Sequence, residues 1–160
     1  MLSVSEVIIM LSNLKDIPTE KALLNIRLVE LGADRYDLIL PETHALPNII
    51  GLDEEVRGIV YGRYKQVGDI KAGRGALVAT NRRVLLIDKK PLFSKFDEII
   101  YPVISGVTLT RAGAGMTVTL HTRMGDIGVF TLNKLCAKNF VKAIEDGIYV
   151  EYQNKAGDWI

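Results

Sequence analysis

The 160-residue chain carries 20 Lys and Arg against 19 Asp and Glu, a formal net charge of +1, with 48% hydrophobic residues. That length fits one domain with an appendage, and the balanced charge gives no basis for nucleic-acid binding or for non-specific capture by an acidic surface. One cysteine, Cys136, and two histidines, His44 and His121, exclude an intramolecular disulfide and leave too few ligands for a structural zinc site.

The charge is unevenly spread. Residues 63–90 hold eight cations against two carboxylates, a local +6, whereas residues 1–50 hold four against seven, a local −3. The opening "MLSVSEVIIMLSNLKD" has no basic leader, and its run "VIIML" is too short for a signal peptide or a membrane span. The expectation is a cytoplasmic protein with no transmembrane segment, no metal and no cofactor.

Residues 1–48 read as a helical extension: two helices and a Pro-containing loop. "SVSE" fits a capping box between Ser3 and Glu6, and Val4, Val7, Ile8, Leu11 and Leu14 follow at helical spacing. "DIP" breaks that pattern, and Pro18 or Thr19 starts a second helix whose stripe is Leu24, Leu28 and Leu31, stopped by Gly32. So wide an apolar face must pack on something. Pro41 and Pro47 then argue for an extended loop through "DRYDLILPETHALPNIIG".

From residue 54 the period becomes alternating. "EVRGIVYGRYKQV" reads as a long strand with Val56, Gly58, Val60, Gly62 and Tyr64 on one face, the two glycines suiting a bend or a close neighbour. "GALVAT" and "RVLLIDKK" are strands joined across Asn81 and Arg82, a two-residue turn in which Asn tolerates the positive φ such turns require. A strand in "FSKFDEIIYPVIS" halts near Pro102, and "GVTLTR", "MTVTLHTR" and "IGVFTL" complete about seven. One amphipathic helix follows, "NKLCAKNFVKAIEDG", with Leu132, Cys136, Phe140, Ala143 and Ile144 inward and Gly147 as its stop. Residues 148–160 form a tail ending near Trp159.

Seven antiparallel strands followed by one helix is the order of a pleckstrin-homology-like barrel or sandwich closed by a C-terminal α-helix. The stretches "GLDEEVRGIVYGRY", "GALVATNRRVLLIDKK" and "FDEIIYPVISGVTLT" narrow this. They resemble the bacterial pleckstrin-homology family, particularly its YokE-like branch, over roughly residues 50–147. The resemblance implies a mainly β PH-like domain at 49–147, used for binding or assembly and not for catalysis. These are scaffold motifs, which identify fold better than function.

Phosphoinositide-binding members of the wider fold use a basic motif across the first hairpin, of the form K-x(n)-K/R-x-R. The matching region "RYKQVGDIKAGRG" supplies Lys65, Lys71 and Arg74, but Lys71 and Arg74 are three apart and Asp69 interrupts the loop. Three-residue spacing on a strand sends side chains to opposite faces. Of the arginine pair, Arg83 is expected at the barrel rim, tied to a carboxylate or a backbone carbonyl, and Arg82 is the one free to meet a partner. The candidate ligand-binding set is Lys65, Lys71, Arg74 and Arg82. His44 and His121 have no neighbours suggesting a nucleophile or metal, Cys136 reads as a small core hydrophobe, and the G-x-G of "RAGAGMT" lacks the helix that a dinucleotide loop needs.

The favoured function is a non-enzymatic PH-like module that self-associates or docks a protein partner, with the helical arm on its own barrel or on a neighbouring chain. The alternative is anionic-ligand binding, a phosphate or lipid head group at the membrane surface, through the basic first hairpins.

Overall fold

The computed structural model describes residues 1–12 and 19–157. Four helices precede the strands: α1 (Val4–Ser12), α2 (Thr19–Glu30), α3 (Arg35–Leu38) and α4 (Pro41–Ile49). The Ser3–Glu6 capping box forms, the Ser3 amide donating to Glu6 Oε2 at 2.7 Å and the Glu6 amide to Ser3 Oγ at 3.2 Å. The "DIP" break, Pro18 and Leu14 lie outside the described residues.

The expected loop through Pro41 and Pro47 is instead helical. Pro41 sits in the first turn of α4, where its missing N–H had no partner to lose, and Pro47 falls near the helix's end. Asp34 caps α3, its Oδ1 accepting the amides of Tyr36 and Asp37.

Seven strands follow: β1 (Val56–Gln66), β2 (Gly73–Thr80), β3 (Arg83–Lys89), β4 (Ser94–Ile100), β5 (Ile104–Ala112), β6 (Gly115–Thr122) and β7 (Ile127–Thr131). They make one antiparallel sheet in the order β4-β3-β2-β1-β7-β6-β5. The sheet is not closed: β4 and β5 are its edges, linked by a 3-10 turn at Tyr101–Val103 that contains Pro102. Helix α5 (Lys134–Gly157) packs across β1 and β5 and fills the fold's interior.

Two cores share the sheet. Inside, Val60, Tyr64, Leu77, Leu86, Val118, Leu120 and Val129 meet Phe140 and Ile144 of α5. Outside, Ile59, Tyr61, Val78, Leu85 and Ile87 meet Leu28, Leu31 and Leu46, so the arm's leucine stripe is covered in cis by its own sheet. Burial on both faces explains why β2 and β3 read as unbroken apolar runs. Arm and hairpins touch at few opposite charges: Glu42 Oε1 accepts the Lys89 amide and lies 3.9 Å from Lys90 Nζ.

Three sequence expectations need correction. Val56 belongs to the outer core with Ile59, because a bulge between Val56 and Gly58 reverses the parity of β1. Gly58 then lies under α5, where a Cβ would come within 2.9 Å of the Phe140 Cα. Leu132 is exposed and precedes α5 instead of lining it. Gly147 does not stop α5, which runs ten residues further. It admits the Tyr101 ring, which a Cβ there would overlap, while the Tyr101 hydroxyl donates to the Thr80 carbonyl at 2.5 Å. Burial pushes that phenol up to about 12. The tail is therefore helical to Gly157, and Trp159 lies outside the described residues.

Candidate functional site

Antiparallel register brings three connections to one end of the sheet. The β1–β2 loop (67–72), the β3–β4 turn (90–93) and the β6–β7 turn (123–126) all sit there, since Gln66 pairs with Ile127 and Lys89 with Ser94. The Val67 amide donates to the Asp126 carbonyl at 3.2 Å, and Val67 packs on Gly125. At this end large apolar side chains stand in solvent: Ile70 is 95% exposed, Leu92 97% and Met124 90%, with Val67 and Phe93 also exposed. Lys65, Lys71 and Arg123 are exposed beside them, and among the described residues their side chains have no ion-pair partner.

Behind the loops a polar network closes the interior. The Tyr64 hydroxyl donates to Asp88 Oδ2 at 2.6 Å, and Lys90 Nζ lies 2.7 Å from Asp88 Oδ1. Burial first, then that carboxylate, pushes the Tyr64 phenol well above its ordinary range. The Lys95 ammonium bonds Gln66 Oε1, lies 3.8 Å from Asp97 and sits over the Tyr64 ring. A phosphate entering between the first two hairpins would meet Asp69, Asp88 and Asp97 as well as lysines. The interior mouth is filled, and the loop tips are the accessible part.

The four residues singled out in the sequence do not converge. Lys65 and Lys71 lie at the loop end; Arg74 lies on the outer face of β2, directly opposite Arg63. Arg82 lies at the opposite end of the strands, 4.0 Å from Asp53, both side chains largely exposed.

That opposite end is a structural lock. Thr80 Oγ1 accepts the amides of Arg82 and Arg83 at 3.1 Å each and donates to Glu54 Oε2 at 2.7 Å. Asn81 exchanges bonds with Glu55, its amide to the Glu55 carbonyl and the Glu55 amide to its Oδ1. Arg83 grips Glu54 with two bonds of 2.9 Å, reaches the Ile49 carbonyl at 3.1 Å and Glu98 at 3.2 Å. These bonds hold the turn without positive φ, contrary to the expectation for Asn81: among the described residues no non-glycine has it. The Arg83 guanidinium holds the Glu54 carboxyl at about 2 against the opposing effect of burial, with Thr80 and the Gly51 amide assisting. Thr80, Asn81 and Arg83 thus fix the corner to "DEE" by hydrogen bonds, while Arg82 reaches it only through the exposed 4.0 Å ion pair with Asp53.

His44 Nδ1 lies 2.9 Å from Lys21 Nζ, and His121 lies between Thr108 and Asp126. Cys136 is fully buried and burial pushes its thiol up to about 12. Among the described residues no three His, Cys, Asp or Glu side chains are grouped to hold a metal, and no helix is long and apolar enough to cross a membrane. Sequence reasoning missed the apolar loop tips and Arg63. The signal was present at Ile70, a large apolar residue in a loop segment with no core to enter, whereas Val67 and Phe93 fall at the ends of segments that read as strands.

Residues 50–146 match the family described as "Bacterial PH domain". Among solved structures the chain is similar to the Vps36 N-terminal PH domain, with 13% identity, a TM-score of 0.48 and coverage of 61% of this chain and 83% of that one. It is also similar to a DUF1696 family protein with a pleckstrin-homology domain from Shewanella loihica, at 19% identity, TM-score 0.36 and coverage of 66% and 88%. The DH/PH domains of p115-RhoGEF align at 12% identity and TM-score 0.44, covering 82% of this chain and 41% of that one. Comparison with curated proteins gave no match.

Proposed function

Since the chain belongs to the bacterial PH domain family through residues 50–146, we propose that it is a non-enzymatic binding module that meets an anionic membrane surface with its loop end. The observation that carries this reading is the grouping of Ile70, Leu92 and Met124, each at least 90% exposed, on three separate connections at one end. Apolar side chains on loop tips enter the headgroup boundary, while Lys65, Lys71 and Arg123 around them meet lipid phosphates. Each such cation contributes about 1 kcal/mol near an anionic surface, so the three together give roughly 3 kcal/mol, weak and strongly salt-dependent. On this reading the module works at the cytoplasmic leaflet.

Co-sedimentation with phosphatidylserine-containing vesicles between about 0.01 and 0.5 M salt tests it. Binding at low salt that falls with salt, and falls further in Leu92→Asp and in Lys71→Ala, is the expected result. No binding at low salt, or binding indifferent to both substitutions, removes the proposal.

A second reading, self-association, is favoured by one observation. Ile8 of α1 and Leu23 of α2 remain exposed although the leucine stripe beside them is covered in cis. A second copy of the chain would cover them. Light scattering on the full chain and on Ile8→Glu with Leu23→Glu decides: a dimer dissociated by the pair supports it, and a monomeric wild type ends it.

A further inference from the structure

The outer face of the sheet carries a row of like charge that the fold leaves unneutralised. Arg63 of β1 lies directly opposite Arg74 of β2 on one side and Phe130 of β7 on the other. The β2–β3 ladder ends at Ala76 and Ile87, and Lys89, two residues beyond on β3, lines the same cleft as Arg63 and Arg74. The Arg63 guanidinium lies 5.8 Å from the Phe130 ring centroid. Among the described residues no carboxylate pairs with Arg63, Arg74 or Lys89. Like charges directly opposite one another destabilise a sheet. Arg63 and Arg74 thus form a like-charge cross-strand pair, with no carboxylate bridging them.

Arg63, Arg74 and Lys89 are each exposed to solvent, at the margin where the sheet meets the arm. The next line toward the sheet's centre, Tyr61, Ala76 and Ile87, is buried under the arm. The cationic row lies just beyond, in a cleft of about 1070 Å³ walled on the arm side by Tyr36, Leu40 and Pro41. Three carboxylates, Asp34, Asp37 and Glu42, also line that cleft and keep their charge, but Arg63, Arg74, Lys89, Lys90 and Lys134 outnumber them, and each carboxylate has an oxygen already held by a neutral donor. Asp34 Oδ1 caps α3, Asp37 Oδ2 accepts from the Asp34 amide and Asn133 Nδ2, and Glu42 Oε1 accepts the Lys89 amide. The cleft thus offers two adjacent guanidinium groups and the side chains of Lys89, Lys90 and Lys134, with Phe130 as an aromatic wall beside them. Guanidinium matches the geometry of phosphate with paired N–H donors, and aromatic rings take an apolar body beside it.

We propose that this cleft between arm and sheet binds a small phosphate-bearing ligand through Arg63 and Arg74, with Lys89 completing the charge. The site faces outward and is separate from the loop tips, so its failure and that of the membrane reading are read by different experiments.

The test is the thermal midpoint of the full chain titrated with inorganic pyrophosphate and, separately, with monomeric dihexanoyl phosphatidic acid, at constant ionic strength. A saturable rise in Tm with at least one probe is expected. It is lost in Arg63→Gln with Arg74→Gln and kept in Lys138→Gln, which removes a cation from α5. A response to pyrophosphate identifies a free phosphate compound as the ligand class; a response confined to the lipid analogue identifies a lipid head group. No response to either probe, or the same response in the double variant, overturns the proposal. Arg74→Glu supplies a readout without ligand. It creates an opposite-charge pair with Arg63 and should raise the ligand-free Tm, by less as salt is added. A lowered Tm would make the row a structural requirement and overturn the inference.

Discussion

Replacing Arg83 by Gln removes the guanidinium from a carboxylate that has nowhere else to go. The Glu54 side chain is 1% exposed and that of Arg83 21%, with two bonds of 2.9 Å between them. The Glu54 carboxyl is held at about 2, against an ordinary value of 4.5. At about 1.36 kcal/mol per pH unit, that depression is worth roughly 3 kcal/mol. Because the folded value lies below the unfolded one, this stability is fully present above about pH 4.5 and is lost as pH falls from there toward 2. Arg83→Gln should therefore cost about 3–5 kcal/mol at neutral pH, an unpaired buried charge being the damage. The cost should shrink on acidification, when protonation of Glu54 removes the unpaired charge. Glu54→Gln should cost less, because Arg83 keeps Glu98 and the Ile49 carbonyl. Urea denaturation of the three proteins from neutral pH to about pH 2 measures this. A loss under about 1 kcal/mol for Arg83→Gln, or a gap from wild type that does not narrow in acid, would refute the reasoning.

Gly147→Ala should destabilise by about 1–3 kcal/mol in thermal melts, since Tyr101 is buried and hydrogen-bonded and cannot retreat; Gly157→Ala, with open space around it, should not. Phe140→Ala, fully buried between α5 and the sheet, should lose about 3–5 kcal/mol. Leu28→Ala should lose about 2–5 kcal/mol while keeping a single urea transition; two separated transitions would show that the arm folds apart from the sheet. Cys136, buried with its thiol pushed up to about 12, should react with a disulfide reagent only as fast as the fold opens.

The run of about seven strands, the β2–β3 hairpin and the inward face of Phe140, Ala143 and Ile144 were legible because period-2 and helical patterns survive in the sequence. The β2–β3 corner was legible in outline, with Arg83 tied to a carboxylate and a carbonyl. Its turn chemistry was not: Thr80 and Asn81 hold it through residues 53–55, some 25 positions away, a contact no local rule contains. Pro41 and Pro47 misled because proline forbids helix only where an amide is needed, and a nine-residue helix has few such places. Gly147 misled similarly, its missing Cβ admitting Tyr101 from 46 residues upstream. In the candidate set, Lys65, Lys71 and Arg74 rest on a resemblance to a basic first-hairpin motif and Arg82 on its place in the arginine pair. Strand direction decides which of those charges meet, and it sends Arg82 to one end, Lys71 to the other and Arg74 to the outer face.

Depth-dependent quenching reads the loop end directly. Leu92→Trp in a Trp159→Phe background, mixed with acidic vesicles of brominated lipid, should be quenched most by shallow bromines. A tryptophan placed at Arg82, at the far end of the strands, should not be quenched. Equal quenching at the two positions, or none at Leu92→Trp in vesicles that bind the protein, would contradict docking through the loop tips.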